Sequence, residues 1–225
     1  MRNKVIDLPL NLTFHSLINY IEQRFIKGMF FMRRREGDKE KAILEAAVKI
    51  FAQRGYHKAK ISSIAKQAGI GTGSIYLYFK NKEAILLTIF DRLWIELTNS
   101  LRNIIKQTNI DPSIKLDLVI DKFFDNFITN PSLATVFVNE QHHLMKGRHG
   151  NIAKHYNDFF DLAEEIIREG VQKRVFNSDI DIKLFRHFII GGLRNILLLW
   201  SQQSQSLQLQ HVRQNMKFFI KHGLL

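Results

Sequence analysis

The sequence predicts an all-α protein, and three observations support this prediction. From residue 38 onward, apolar residues recur at spacings of three and four positions, without a sustained alternation of the strand type. Residues typical of helix starts and stops bound these segments: an aspartate or asparagine before proline, and glycine at the end. Three prolines, twelve glycines and a hydrophobic fraction of 45% in 225 residues are typical of an ordinary globular chain. We therefore expect one or two compact helical units.

The first three predicted helices are a medium-length helix and two short ones. The first covers about residues 38–54 and ends at Gly55. A short helix over 61–68 follows and ends at Gly69, and a second short helix over 72–79 begins almost at once.

Asx residues mark the starts of the next three helices. Asn81 is a suitable N-cap for a long helix that continues to about residue 106. Asp111 and Asn130 each precede a proline, which is favoured at the first helical position, so each is predicted to open a further helix. The long helix is expected to link two modules.

Three more helices complete the prediction. Helical periodicity covers about residues 151–172 and 181–201, and a polar linker over 201–206 leads to a last helix. The 181–201 segment has almost no polar face, so nearly all of its surface needs a covering partner.

The first 36 residues form a peripheral extension. The apolar stretch from Phe14 to Met32 is interrupted by polar residues and lacks a small-residue cleavage site, so it is a poor signal peptide. Residues 1–36 are either an upstream extension of the reading frame before Met29 or Met32, or a flexible arm.

Positive charge is concentrated in one region. The formal net charge is +12 and the pI is near 9.9. Twelve Lys/Arg and four Asp/Glu lie between Arg33 and Lys82, a net of +8, whereas residues 83–225 carry a net of only +2. A solvated surface would spread its charge more evenly, so the pattern favours a polyanionic partner for the basic region.

Two absences narrow the function classes. The chain has no cysteine, which excludes disulfides, thiolate metal sites and a cysteine nucleophile and favours a reducing, cytoplasmic location. The apolar run from Ile196 to Trp200 is far shorter than the roughly 20 residues that a membrane-spanning helix needs. We therefore expect no membrane association.

The two short helices have the form of a helix-turn-helix. Ile64 and Ile70 are apolar where the helices must pack together, and small Ala68 and Gly69 occupy the turn. Such a pair places its second helix in the major groove of DNA, with Thr72 at its start. The alternative interpretation is a helical hairpin without a DNA-binding role.

Residues 64–83 resemble the signature of the TetR/AcrR family of transcriptional regulators, since they read IAKQAGIGTGSIYLYFKNKE. With the supporting helix before it, the resemblance covers about fifty residues. It implies a three-helix DNA-binding domain at 37–82 and a helical effector-binding and dimerisation domain at 83–225. It also implies DNA contacts by Thr72, Gly73, Ser74, Tyr76, Tyr78 and Lys82, and the full set of candidate DNA-binding residues adds Lys60, Ser62 and Gly71.

Their chemistry fits that role. Hydroxyl groups donate to phosphates or base edges, Gly73 allows close approach, and the resemblance makes Tyr76 and Lys82 phosphate contacts. Phe79, in contrast, is expected to pack inside the domain. The family often has a hydroxyl residue where this chain has Lys60, so a charge-assisted phosphate contact is expected there.

The C-terminal region is rich in aromatic residues, which most often means core. In the family, however, these helices enclose a pocket for an apolar effector. The candidate pocket residues are Phe90, Trp94, Phe123, Phe127, Phe137 and Phe159.

Residues 65–86 are also similar to the family members that respond to long-chain acyl-CoA, although a drug-like or other hydrophobic effector is equally allowed. An acyl-CoA needs cations for its phosphates. The candidates are Arg92, Arg102, Lys106, Arg148 and Arg194.

The apolar helix around residues 191–192 is predicted to form a homodimer interface of four helices with the last helix. An ordinary buried helix is the alternative. The candidate interface residues are Phe188, Gly191, Gly192, Leu199, Val212, Met216 and Phe219. A dimer would read a roughly palindromic double-stranded operator through successive major grooves.

No enzymatic arrangement stands out. His142, His143, His149 and His155 lack carboxylates at ligand spacing apart from Glu140, so no metal site or cofactor is expected. The expected function is a ligand-responsive DNA-binding regulator, most simply a repressor. The alternative is an architectural DNA-binding protein without a ligand.

Overall fold

The structure is a computed structural model that describes residues 36–146, 150–202 and 208–224, and these ranges contain nine helices and no strand. The helices are α1 Glu36–Arg54, α2 Ile61–Ala68, α3 Thr72–Ile75, α4 Lys82–Ile105, α5 Pro112–Thr129, α6 Pro131–Lys146, α7 Gly150–Gln172, α8 Ile182–Gln202 and α9 Leu209–Leu224. The all-α prediction is thus confirmed. The predicted N-terminal extension lies, apart from Glu36, outside the described residues, as does most of the predicted 201–206 linker.

The described residues from position 43 onward belong to one compact unit, and all contacts described below lie within it. Among the described residues, no helix is both long enough and apolar enough to cross a bilayer.

Two glycines end helices as predicted. Gly55 follows α1 with a φ of 74°, and Gly69 follows α2 with a φ of 68°. This left-handed conformation is disfavoured for residues with a Cβ, which is why glycine stops the helices there. The turn between α2 and α3 is closed by the Ile70 N–H, which donates to the Ala65 carbonyl at 3.0 Å.

The three predicted Asx caps are also present. The side chain of Asn81 accepts from the Ala84 N–H at 2.8 Å, and Asp111 accepts from the Ser113 N–H at 2.8 Å. Asn130 accepts from the Leu133 N–H at 3.2 Å. Each cap satisfies a main-chain donor that the first helical turn leaves without a partner.

The second short helix is shorter than predicted. A helix was expected over 72–79, but α3 ends at Ile75 and residues 76–78 form a turn. The N–H groups of Tyr78 and Phe79 both donate to the Ile75 carbonyl, at 3.0 and 2.9 Å. The apolar spacing of Ile75 and Phe79 is the same in a helix and in this tight turn, so the sequence pattern does not distinguish them.

The long helix α4 lies at the centre of the larger C-terminal region. It packs against α5 and α7, while α6 packs against α8 and α9 against α5. Trp94 of α4 is 1% exposed, and its ring lies 5.1 to 6.0 Å from those of Phe137, Tyr156, Phe159 and Phe160. These edge and tilted ring contacts join α4, α6 and α7 into one aromatic core.

Ion pairs on three successive helical turns hold α9 to α5 in antiparallel register. They include Asp117 with Lys221 at 2.5 Å, Asp121 with Lys217 at 2.7 Å and Asp125 with Arg213 at 2.7 Å. Because the partners are spaced by four residues on both helices, each pair falls on one turn of each helix. The buried apolar residues of α9 therefore face into the same chain.

Candidate nucleic-acid interface and effector pocket

The packed side of the helix-turn-helix is formed by small and aliphatic residues. Ile64, Ala65 and Ile75 are each at most 2% exposed, so α2 and α3 pack directly on each other. Phe79 is 5% exposed, as expected of a core residue. This packing leaves the opposite side of α3 facing outward.

The outward side carries most of the predicted DNA-binding residues. Gly71, Thr72 and Gly73 are exposed, Ser74 and Tyr78 are half-buried, and the Tyr76 side chain is 55% exposed. Lys60 and Ser62 are exposed at the start of α2, where Lys60 is the N-cap residue but its side chain makes no cap hydrogen bond. Gly71 is the N-cap of α3 and likewise offers no side-chain cap.

Leu77 is a further exposed residue in this region, and the sequence pattern did not indicate it. Its side chain is 84% exposed and follows directly after Tyr76 in the turn. Burial of so exposed an aliphatic side chain against a partner would contribute favourable free energy. Helical spacing did not mark Leu77 as a surface residue of interest. In the structure it lies in the turn after α3, which directs its side chain outward.

Lys82 differs from its expected role as a phosphate contact. Its ammonium group donates to the carbonyls of Tyr56 at 2.6 Å, His57 at 3.1 Å and Ala59 at 3.1 Å. An ammonium has three donors, and all three are used within the protein. In this structure Lys82 therefore fastens the segment between α1 and α2 to the start of α4.

The Tyr56 side chain completes this contact. The Lys82 ammonium lies 4.5 Å from the centre of the Tyr56 ring, and the Phe51 ring lies 5.4 Å away at a steep angle. Burial raises the pKa of the Tyr56 phenol, and the carboxylates of Glu83 and Glu140 raise it further. The phenol is therefore neutral at physiological pH.

An apolar cavity lies among the C-terminal helices, with an empty volume of about 890 Å³ that includes space open to solvent. It is lined by Trp94, Leu116, Val119, Ile120, Phe123, Phe137, Tyr156, Phe159, Phe160, Ala163, Glu164, Ile167, Phe185, Arg186, Ile189, Ile190, Leu193, Arg194 and Ile220. A concave, largely apolar lining with a few charged groups is typical of sites for small apolar ligands.

Four of the six predicted pocket aromatics line this cavity: Trp94, Phe123, Phe137 and Phe159. Phe90 and Phe127 are not among the residues that line it. Both are at most 1% exposed and pack behind Phe137, with ring centres 6.1 and 5.2 Å from its ring. The sequence pattern places all six on buried helix faces, but only packing decides which of them border empty space.

Charged groups border one side of the cavity. Arg186 donates to Asp161 at 2.9 Å, to Glu164 at 3.1 Å and to Asn157 at 3.3 Å, and its guanidinium lies 5.0 Å from the centre of the Phe160 ring. Its charge is thus balanced within the protein. Arg194 also lines the cavity and forms no ion pair with the described residues.

Among the four predicted phosphate-binding cations that the structure describes, only Arg194 lines the cavity. Arg92, Arg102 and Lys106 lie elsewhere on α4 or at its end, and Arg102 forms a 3.8 Å ion pair with Asp158. Arg148 lies outside the described residues.

The predicted dimer surface is partly supported by exposure. Phe188 is 75% exposed, Leu199 41% and Phe219 62%, and Gly191 and Gly192 have open space where a Cβ would be. Leu184 and Phe218 are also exposed and were not predicted.

Two of the predicted interface residues, Val212 and Met216, are buried and do not belong to this exposed surface. They are 8% and 6% exposed, because the ion pairs of α9 with α5 turn this side of α9 into the core of its own chain. Their side chains are therefore core residues and do not belong to an exposed surface.

Among the described residues, no group of three His, Asp or Glu side chains is arranged to hold a metal ion. The Nδ1 atom of His155 lies 2.7 Å from a carboxylate oxygen of Asp91, which links α7 to α4. The side chains of His142, His143 and His149 lie outside the described part of the chain.

Two sequence families match the chain. Residues 43–89 match the family described as bacterial regulatory proteins, tetR family, and residues 90–223 match the C-terminal region of YsiA-like protein. The fatty acid metabolism regulator protein of Bacillus subtilis strain 168 is 32% identical over 167 residues, which cover 74% of this chain and 86% of that protein.

Solved structures are similar over most of the chain. The fatty acid degradation regulator FadR from Bacillus halodurans has a TM-score of 0.72 at 28% identity, covering 83% of this chain and 96% of that one. FadR from Bacillus subtilis in complex with stearoyl-CoA has a TM-score of 0.70 at 29% identity, covering 82% and 99%. The chain therefore belongs to the TetR family of bacterial regulatory proteins and is a transcriptional regulator whose helix-turn-helix is formed by α2 and α3.

Proposed function

We propose that this protein is a ligand-responsive repressor that releases its operator when a hydrophobic effector occupies the cavity. In this proposal residues 37–82 form the DNA-binding domain and residues 83–225 the effector-binding and dimerisation domain. The single observation that carries the proposal is the apolar cavity lined by aromatic residues of α4 to α8. An architectural DNA-binding protein has no need of such a cavity.

The DNA contacts are proposed on the exposed side of α3 and the following turn. In this proposal Thr72, Gly73 and Ser74 approach base edges. Tyr76 and Lys60 contact phosphates. Exposed Leu77 adds an apolar group beside them. The net charge of +8 between Arg33 and Lys82 supports binding to the phosphate backbone.

The operator is proposed to be a roughly palindromic duplex bound by a homodimer. The exposed apolar residues of α8 and α9, chiefly Phe188, Leu199 and Phe219, are the proposed interface. Large exposed apolar surfaces on a folded chain mark sites of association. Two symmetry-related recognition elements would then enter successive major grooves.

A long-chain acyl-CoA is the proposed effector. The structure of FadR from Bacillus subtilis was solved with stearoyl-CoA. In this chain the apolar lining suits an acyl chain, and Arg194 is the lining cation whose charge is not balanced by a described carboxylate. One such cation supports the binding of an anionic head group at this side of the cavity.

The proposal is tested by selecting bound duplexes from a random DNA pool with the full-length protein. Titration of the recovered duplex is then repeated with stearoyl-CoA, octanoyl-CoA and free coenzyme A. We expect one dominant, roughly palindromic duplex, released by stearoyl-CoA and not by free coenzyme A. Equal release by free coenzyme A would contradict the role of the apolar cavity, and recovery of no preferred sequence would contradict sequence-specific repression.

A further inference from the structure

Glu140 of α6 is a buried carboxylate that belongs to neither candidate site. It is 7% exposed, although removing a carboxylate from water costs free energy unless partners compensate for it. One oxygen of this carboxylate accepts from the main-chain N–H of Tyr56 at 3.4 Å. The contact joins two segments that are 84 residues apart in the chain.

The main chain of Tyr56 is held from two sides. Its N–H donates to the Glu140 carboxylate and its carbonyl accepts from the Lys82 ammonium at 2.6 Å. Tyr56 lies between α1 and α2, immediately before the helix-turn-helix. The position of this segment therefore depends on α6 as well as on the start of α4.

The same helix reaches the cavity. Phe137 lies three residues before Glu140, so the two side chains project from neighbouring positions on one side of α6. Phe137 lines the cavity and packs against Trp94 at 5.9 Å and Phe127 at 5.2 Å between ring centres. A ligand that displaces the Phe137 ring must move α6 or repack these contacts.

We propose that Glu140 is a positioning residue that couples occupancy of the cavity to the helix-turn-helix through the Tyr56 main chain. This inference rests on the proposed ligand response and specifies how it is transmitted. With the cavity empty, Glu140 holds the segment before α2. An occupant that shifts Phe137 moves α6, loosens the hydrogen bond to Tyr56 and changes the presentation of α2 and α3. In this scheme the ligand binds more tightly to the state in which the Tyr56 hydrogen bond is broken. Such a difference in affinity between two states is what couples ligand binding to DNA release.

The test compares the full-length wild type with Glu140→Ala, Glu140→Gln and Asn139→Ala. Asn139 is the exposed neighbour of Glu140 on α6 and serves as the matched control. For each protein, the Kd for the selected duplex is measured without and with saturating stearoyl-CoA, and the Kd for stearoyl-CoA is measured separately. The ratio of the two duplex Kd values reports coupling, which a change in folding stability alone does not alter.

We expect the coupling ratio of Glu140→Ala to fall at least about tenfold, with stearoyl-CoA affinity close to that of the wild type. Glu140→Gln keeps an acceptor oxygen, so its coupling ratio is expected to lie between those of Glu140→Ala and the wild type. Asn139→Ala is expected to have the wild-type coupling ratio. A wild-type ratio in Glu140→Ala overturns the inference. Failure of the wild type itself to bind or release any duplex contradicts the proposed function instead.

A second measurement follows the contact directly. Hydrogen exchange of the Tyr56 amide is compared between wild type and Glu140→Ala without DNA, and in the wild type with and without stearoyl-CoA. Loss of protection in the variant and on ligand binding supports the proposal. An amide that exchanges equally in wild type and variant overturns it.

Discussion

The Lys82 ammonium donates to the Tyr56 carbonyl at 2.6 Å, and this contact determines how the loop before the helix-turn-helix meets α4. Two further carbonyls, those of His57 and Ala59, accept from the same group. A lysine that resemblance alone assigns to phosphate binding is thereby used inside the protein. The two roles predict different behaviour on substitution.

Substitution of Lys82 is expected to affect stability more than electrostatic DNA binding. Lys82→Met removes three hydrogen bonds from a charged donor, so we expect the free energy of unfolding to fall by about 2 kcal/mol. Lys80→Met, at an exposed neighbouring position, is the control and should leave the free energy of unfolding unchanged. Denaturant unfolding measures both variants.

The salt dependence of DNA binding separates the roles. A lost phosphate contact would reduce the slope of log K against log salt by about 0.9, whereas a positioning role leaves the slope unchanged. An unchanged unfolding free energy together with a reduced slope would restore Lys82 as a phosphate contact.

Tyr76 and Leu77 are expected to contribute differently to DNA binding. Tyr76→Ala should weaken binding to operator and unrelated duplex alike, because phosphate contacts carry no sequence information. Leu77→Ala should reduce discrimination at one base pair by about 1 kcal/mol, as expected for loss of an apolar contact with a thymine methyl group. Both residues are exposed, so neither variant should alter thermal stability.

Mobility-shift titrations with the selected duplex and single-base variants measure these effects. Ile95→Ala, at an exposed apolar position on α4, is the control. Wild-type base preference in Leu77→Ala would remove Leu77 from the interface.

Filling the cavity is expected to block the effector without blocking the operator. Ala163 lines the cavity on α7, and Ala163→Trp places an indole where an acyl chain would lie. We expect stearoyl-CoA affinity to fall at least about tenfold, or 1.4 kcal/mol. Glu165→Trp is the control, because it puts the same side chain on the exposed side of α7. It should bind stearoyl-CoA with wild-type affinity. Normal binding by Ala163→Trp in calorimetry would place the effector elsewhere.

A charge in the exposed apolar surface is expected to break the homodimer. Phe188 is 75% exposed in the single chain, and Phe188→Glu would bury an unpaired carboxylate on association. We expect a monomer in sedimentation experiments. Ile114→Glu, at an exposed apolar position on α5, is the control and should remain dimeric.

Val212 is a buried apolar residue, in contrast to the exposed Phe188. It is buried within its own chain, so Val212→Ala should lower the free energy of unfolding by roughly 2 kcal/mol without weakening association. A dimeric Phe188→Glu variant, or a monomeric and stable Val212→Ala variant, would contradict this assignment of the two surfaces.

The ion pair between buried Lys115 and half-buried Glu169 predicts a pH dependence of stability. Lys115 is 1% exposed and donates to Glu169 at 2.8 Å, while Lys173 donates to the other carboxylate oxygen at 2.6 Å. Hydrogen bonds from Lys115 and Lys173 lower the pKa of Glu169 below its ordinary value of 4.5. The folded state therefore holds this carboxyl deprotonated to lower pH than the unfolded state does.

A lowered folded pKa contributes stability that is fully present above pH 4.5 and is lost as pH falls through the folded value. Glu169→Gln leaves Lys115 buried without its charge partner and should destabilise the protein by about 3 kcal/mol at pH 7. The stability difference from wild type should shrink below pH 4.5. Unfolding measured across pH would contradict this if the difference stayed constant.

Local sequence signals predicted the helices and the helix-turn-helix, apart from the early end of α3. Gly55 and Gly69 supply the left-handed conformation that ends a helix, and Asn81, Asp111 and Asn130 supply acceptors for unpaired N–H groups. These effects act within a few residues, so they are readable from the chain. The buried Ile64 and the exposed Thr72 follow from the same short-range pattern.

The lining of the cavity was less predictable because it depends on contacts between distant segments. Phe90 and Phe137 look equivalent as aromatic residues on apolar helix faces, yet only Phe137 borders the cavity. Whether a buried ring lines a void depends on which helices pack beside it, and no local pattern contains that information.

The sequence by itself determined the all-α class, the positions of the caps and the helix-turn-helix, because these rest on periodicity and on hydrogen bonds between near neighbours. Tertiary structure alone decided that Lys82 holds the Tyr56 segment, that Val212 and Met216 face the core and that Glu140 reaches across 84 residues to the loop before α2. A side chain such as that of Lys82 can serve a phosphate or a carbonyl equally well, and only the folded geometry selects the partner.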